Sequence, residues 1–568
     1  MSGRVIAFTS QMDARILAYE REYVGSHAVE LAASAAVARI PGEPGHRGAR
    51  GMIIRYRQKR LFTSLAFIGA IVVAPHSQLL AQGAVPARIV TANPAPSAFH
   101  AAAQQMLVRR RHPRMRWPLI RDVAASVEEL YVANEWKPLW SSDGVPTSLA
   151  SSVTRILADA SLRGLSATDY DAAMLARQTR PTAPGLSDGD TTTAVWDVAM
   201  TADVLRFAHA LRFGRVHVES VYPSLHLPRD TVDLAAFVQV LLDHAKAFPR
   251  NMSGSEALDT WVSAQFDTLE PPWAHYWLVR DALQQYQDYA LGNELLPSDL
   301  TPALVKDRIK RIDLALERWR WLPQTFTTAP IFINIPAFRL YAFGSPVDDG
   351  VSKLVNMDVA VGNAFRTRTP VFSALMRTVI FSPYWDVPRS ITVKEVLPKA
   401  QRDLGYLVRS HMEVVSVSDG RILPLSRSVL ARVSEGTARI RQRPGADNAL
   451  GGVKFVFPND YNVYLHDTPT QSVFQLARRD VSHGCIRVAE PARLAAFVLR
   501  NEPEWPPARI EAAMHDGHPQ QVTLTTPIPV FVVYTTVIAR AGGETLFYDD
   551  IYGHDRALSA RLAAGYPY

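Results

Sequence analysis

The sequence predicts an α+β multidomain protein, with a helical N-terminal region followed by a mainly β region. Three observations predict this. Apolar residues recur at helical spacing through roughly 119–300, whereas from Ile331 they alternate in short β-branched runs separated by Gly, Pro and Asn. Between Pro388 and Arg441 lies a segment with its own helical and short-strand patterns. At 568 residues the chain has room for roughly three or four domains of about 150 residues each. A content of 48% hydrophobic and 20% charged residues is that of an ordinary soluble protein, which excludes collagen-like and disordered classes. The net charge of +7 favours acidic partners, but it is spread out. No domain-sized basic stripe is interleaved with aromatics, so nucleic acid is not an expected partner.

The elements follow in chain order. Arg55, Arg57, Lys59 and Arg60 precede a mostly apolar run from Leu61 to Ala74, and small residues follow at Ala81-Gln82-Gly83-Ala84. That is the order of a secretory signal, and the run is short of the roughly 20 residues a spanning helix needs. Residues 52–84 are therefore read as a signal peptide or anchor. Residues 1–51 are read as a non-native extension, with translation starting at Met52; an uncleaved anchor with a cytoplasmic tail, and with it membrane association, is the alternative. The Pro-, Ala- and Arg-rich stretch 85–118, which includes Arg109-Arg110-Arg111-His112, reads as a flexible linker. Val123, Val127, Leu130 and Tyr131 open the helical domain, 119–300, and Trp136, Trp140 and Tyr170 are expected in its core. Further helices are expected around Ser151–Leu162, Thr192–Phe213 and Leu234–His244, with turns at Pro181–Gly189 and Pro223–Pro228. A connecting helix at 301–330 leads into the β region, 331–540, with the insertion at 388–441 and a C-terminal tail at 541–568.

Cys485 is the only cysteine, within Ser482-His483-Gly484-Cys485-Ile486-Arg487, and His466 lies nineteen positions upstream. A lone thiol is a spectator, a metal ligand or a nucleophile. The two histidines supply candidate bases for a thiolate, and Gly484 permits a tight turn with exposed N–H groups of the kind that hold an oxyanion. A metal site with His466, His483 and Cys485 lacks a clear fourth ligand and paired CxxC spacing. No GxxxxGK, HExxH or GxSxG motif is present, so nucleotide, metalloprotease and serine hydrolase chemistry has no support, and no cofactor is implied.

The runs Tyr464-Leu465-His466-Asp467-Thr468-Pro469 and Ser482-His483-Gly484-Cys485-Ile486-Arg487 resemble the signature of the L,D-transpeptidase (YkuD-type) catalytic domain. The segments Glu317-Arg318-Trp319-Arg320-Trp321-Leu322-Pro323, Asn334-Ile335-Pro336, Pro383-Tyr384-Trp385-Asp386-Val387-Pro388 and 441–451 are similar to the large, lidded, YcbB-like Gram-negative subfamily. The resemblance implies a helical scaffold domain and a catalytic domain whose lid is the insertion at 388–441. It also implies a periplasmic, wall-associated enzyme that crosslinks donor and acceptor peptidoglycan stem peptides and is acylated by carbapenem inhibitors. The module that usually follows the scaffold is expected to be absent, because only about thirty residues separate Tyr289 from Trp319, too few for a globular domain.

By the same resemblance Cys485 is the nucleophile and His466 the general base and proton donor, with His483 as second choice. The ring of His466 is expected to be oriented by the Asp467 carbonyl. Gly484 and Cys485 amides and the Tyr464 hydroxyl are expected to face the oxyanion, with Ser482 and His483 shaping the loop. Arg487 either meets a substrate carboxylate or makes a structural ion pair beneath the loop. Asn448 and Trp385 fall in cleft motifs, Trp385 alternatively packing the lid hinge. The linkage, 3-3 or another such as 1-3, stays open. Hydrolysis by the same thioester, as an L,D-carboxypeptidase or amidase, and a non-catalytic wall scaffold are the competing functions.

Overall fold

The computed structural model describes residues 96–568, apart from 178–186, 229, 248–254, 344–354, 541 and 567–568. The leader at 52–84, the segment 1–51 before it and most of the turn expected at Pro181–Gly189 lie outside the described residues. Among those described, no helix is long and apolar enough to cross a membrane.

The helical region begins earlier than its sequence suggests. Helix α1, Ala98–Val108, is capped by the Ser97 hydroxyl, which accepts from the His100 amide, and it buries Phe99, Ala103, Met106 and Leu107 along one face. Beyond it, His112 is wholly buried: its Nε2 donates to the Val195 carbonyl at 2.7 Å, and its Nδ1 accepts from the Arg114 and Met115 amides. The linker expected over 85–118 is thus corrected from Ser97 onward. The arginines stay near solvent while the apolar residues between them enter the core, so composition concealed an amphipathic helix and a buried clasp. Helices α2 (Ala124–Ala133), α3 (Ser148–Ala158), α4 (Ser187–Phe213), α5 (Leu234–Ala247) and α6 (Ser255–Asp267) complete this core. Trp140 and Tyr170 are fully buried in it.

Helices α7 (Ala274–Leu291) and α8 (Pro302–Arg320) bury Tyr276, Val279, Leu283, Ile312 and Leu316 in the same apolar cluster as the β strands. By core membership α7 therefore goes with the β region, although the sequence boundary was expected at 300.

Nine strands form the main sheet among the described residues: β1 (Ile331–Asn334), β2 (Arg339–Ala342), β3 (Val355–Gly362), β4 (Phe372–Phe381), β5 (Val453–Val456), β6 (Leu465–His466), β7 (Asp480–Ser482), β8 (Ile486–Val488) and β9 (Gln520–Val533). Their order is β7-β3-β8-β6-β5-β4-β9-β1-β2, and an additional pairing of β2 with β3 closes the sheet on itself. The interior is filled by side chains such as Val359, Val379, Phe455, Leu465 and Ile486, all fully buried. Between β4 and β5, strands Trp385–Asp386, Ala438–Gln442, Met412–Ser416 and Ile422–Leu423 make a separate four-stranded sheet. It has its own apolar core, with Leu397, Leu407, Leu430 and Ile440.

The C-terminal segment is not a tail. Strands Val537–Ala539 and Thr545–Phe547 pair, and a helix spans His554–Ala564. Asp555 accepts from Arg318 at 2.6 Å and from Thr536 at 2.6 Å, tying that helix to α8 and to the end of the barrel. Its few buried residues, Asp555 and Leu558 among them, gave little periodic signal.

Candidate active site

The barrel register assembles the site. Strand β6 pairs parallel to β8, with His466 beside Arg487, and antiparallel to β5, with His466 opposite Lys454. Leu465 and Ile486 point into the core, so the alternation puts Tyr464, His466, Cys485, Arg487 and Lys454 on the opposite face. Cys485 ends the loop leading into β8, is partly exposed, and has its Sγ 3.7 Å from the Asn462 carbonyl.

The loop that carries the thiol is held from three sides. Ser482 is buried; its hydroxyl donates to the Cys485 carbonyl at 2.5 Å and accepts from the Gly484 amide at 3.1 Å. Gly484 has a φ of +115°, a conformation that side chains rarely adopt. The Thr369 hydroxyl donates to the Gly484 carbonyl and accepts from the Gly362 amide, both at 2.8 Å, while Thr367 bonds the Ser482 carbonyl. Tyr552, from the C-terminal segment, bonds both the Gly362 carbonyl and the Thr369 amide. A Cβ at Gly362 would lie 2.0 Å from the Thr367 carbonyl oxygen, so this close approach requires glycine there.

His466 is 5% exposed, and its Nδ1 lies 2.5 Å from the Asp467 carbonyl oxygen, the orienting partner expected from sequence. A carbonyl only accepts, so Nδ1 carries the hydrogen and Nε2 is left with the lone pair. Burial, opposed by the Asp467 bond and reinforced by the positive charges of Arg487 and Lys454, lowers the imidazole to about 3. Burial likewise raises the Cys485 thiol, against the pull of Tyr464, Lys454 and Arg487 towards the thiolate. The resting pair is therefore a neutral thiol and a neutral imidazole. The Asp467 carboxylate is occupied locally, accepting from the Gly452 and Thr468 amides.

Tyr464 lies against Cys485 and within hydrogen-bonding reach of Trp385, and burial raises its phenol strongly, so the hydroxyl keeps its proton. Trp385 pairs with Gln442 at the root of the inserted sheet and packs against that subdomain's core. Arg487 makes no ion pair among the described residues, and its buried Nε has no hydrogen-bond partner, so the structural ion pair considered for it is not formed.

Three site expectations need correction. Asn448 is 1% exposed; its amide donates to the Pro383 and Arg443 carbonyls and its oxygen accepts from the Leu450 amide. Its polar groups are spent on the turn, so it is a bracket for the cleft wall and not a substrate contact. The Gly484 amide is engaged by Ser482, which leaves the Cys485 amide as the loop's donor to an oxyanion. His483 turns away to Glu395 of the inserted subdomain, with Nε2 2.8 Å from Oε1, so it is poorly placed as the base. A metal reading needs converging donors, and among the described residues no group of three His, Cys, Asp or Glu side chains is so placed.

Sequence reasoning missed Lys454, Thr367, Thr369, Tyr552 and Glu395. Only Lys454 carried a local signal, as a cation in the otherwise apolar run Val453–Phe457.

Comparison with known families defines the class. Residues 329–530 match the YkuD family model, the L,D-transpeptidase catalytic domain, and residues 125–283 match the scaffold domain model. The chain thus joins a helical scaffold domain to a YkuD L,D-transpeptidase catalytic domain. A Haemophilus influenzae protein named "Putative L,D-transpeptidase" is 27% identical over 333 residues, 56% of this chain. The chain spans 66% of that relative's length.

Proposed function

We propose that this protein is a peptidoglycan L,D-transpeptidase that joins stem peptides through a thioester on Cys485. The observation that carries the reading is the placement of a partly exposed thiol and a buried, neutral His466, whose Nε2 carries the lone pair, on one face of adjacent strands in a YkuD-type barrel. His466 takes the thiol proton as Sγ forms a bond to the donor carbonyl, and the Tyr464 hydroxyl and Cys485 amide stabilise the oxyanion. The scissile C–N bond then breaks, and the proton passes from His466 to the departing amine of the terminal D-residue. An acceptor amine attacks the thioester, gives its proton to His466, and the Cys485 thiol is restored.

The inserted subdomain acts as a lid. Its Glu395 bonds His483 beside the nucleophile, and its Trp385 meets Tyr464, so it covers the cleft where water would compete with the amine. That favours crosslinking over hydrolysis. The 3-3 and 1-3 linkages both fit this chemistry. The signal pattern at 52–84 supports work in the periplasm.

Incubation with a defined donor tetrapeptide should add to the intact protein the mass of the donor less that of the released terminal amino acid, located on Cys485. A carbapenem should add its own mass at the same thiol. An unmodified protein in both incubations would remove the nucleophile assignment.

A further inference from the structure

Among the described residues, neither of the two cations beside His466 forms an ion pair with a carboxylate. Lys454 and Arg487 are its lateral neighbours on β5 and β8, one on either side. The Lys454 ammonium stands 3.8 Å from the centroid of the Tyr464 ring, and its desolvation lowers its pKa, as it does for Arg487. The one carboxylate acting on Lys454 from a distance, Asp386, is already paired with Arg439 at 2.9 Å. Partly buried cations are costly to hold without a counter-charge. Other arginines in this protein meet theirs: Arg206 with Asp122, Arg163 with Glu270, Arg318 with Asp555.

Resting on the nucleophile reading above, we propose that Lys454 is a further substrate-binding residue, forming with Arg487 a two-cation clamp for the carboxylate of the donor's terminal residue beside Cys485. Both charges oppose an imidazolium at His466. A carboxylate seated between them cancels that opposition, so the base strengthens when donor is bound. Without donor the thiol stays protonated and little reactive. The other charged or titratable groups facing the pair do not supply this switch: Tyr464 keeps its proton, and the Asp467 carboxylate is held by two amides.

Cys485 is the only thiol, so alkylation reports on it alone. Iodoacetate and iodoacetamide react by the same displacement but differ in charge. The folded full-length protein should react with iodoacetate in preference to iodoacetamide, relative to the same protein unfolded, by at least about fivefold at low salt. Lys454→Met and Lys454→Gln should lose most of that preference, Lys454→Arg should retain it, and high salt should flatten it. Far-UV circular dichroism identifies which variants are folded. Acylation by donor stems should also fall when the terminal carboxylate is a carboxamide, and Lys454→Met should not discriminate between the two. An unchanged reagent preference in either folded neutral variant overturns the clamp while leaving the nucleophile intact. If neither reagent modifies the folded wild type, the clamp fails, while the nucleophile reading is decided separately by the mass of the protein after incubation with a donor stem.

Discussion

His466 is neutral at rest because it is buried between two cations, and its tautomer is fixed by one backbone carbonyl. A base so placed has no substitute nearby, since His483 is drawn to Glu395. His466→Ala should therefore lower turnover by about 10²- to 10⁴-fold, the usual contribution of a positioned acid–base group. His483→Ala should cost less than about tenfold, because its contact with Glu395 is an exposed pair of the kind that contributes little. Steady-state crosslinking rates on defined stems check the order; a larger loss at His483 would reverse the assignment. At this scale Cys485 and His466, the proposed nucleophile and base, could be singled out in the sequence because each sits in a compact local signature. Asn448 was misread, since sequence alone cannot tell an amide facing a cleft from one satisfied by three backbone groups. Lys454 was missed because its role exists only through the β5–β6 register.

At the scale of elements, the clasp after α1 and the inserted subdomain make separable predictions. His112 is held at about 4, chiefly by burial, against an ordinary value of 6.5. Between those values the unfolded chain binds more protons, so this residue's contribution is full above pH 6.5 and is lost as pH falls towards 4. His112→Gln should lose about 2 kcal/mol at neutral pH through its three broken hydrogen bonds. Its stability should then fall less steeply with acid than the wild type's, by up to about 1.4 kcal/mol per pH unit. Urea unfolding at stepped pH gives both numbers, and equal stability at neutral pH would return this segment to the status of a linker. The comparison must be between variants, because buried Asp197 and Asp313, raised by burial to about 6 and about 7, act with the opposite sign. For the lid, its separate apolar core makes it removable with limited harm to the barrel. Replacing 388–441 by a short turn should shift products from crosslinked dimers towards hydrolysed stems, read by mass spectrometry. An unchanged dimer yield from the folded variant would show that the cleft alone excludes water.

Across the whole molecule, the nucleophile loop depends on contacts that span most of the catalytic domain. Tyr552 and Thr369 brace it from positions far away in sequence, and Asp555 ties the last helix to α8. The order of helices then strands was readable because periodicity is local; the closure of the barrel, the shared core of α7 and the docking of the C-terminal helix were not, because each depends on pairing between distant segments. The linker expectation failed for a related reason, since the exposed arginines that follow α1, at 109–111, 114 and 116, dominated the segment's composition, while α1 itself carries none. The central claim is that this assembly exists to present one thiol to a stem peptide. Purified full-length protein and Cys485→Ala, matched in circular dichroism, should be incubated with defined donor and acceptor stems and the products analysed by mass spectrometry. The account predicts crosslinked dimers from the wild type and none from Cys485→Ala; dimers persisting in the Cys485→Ala reaction would contradict it.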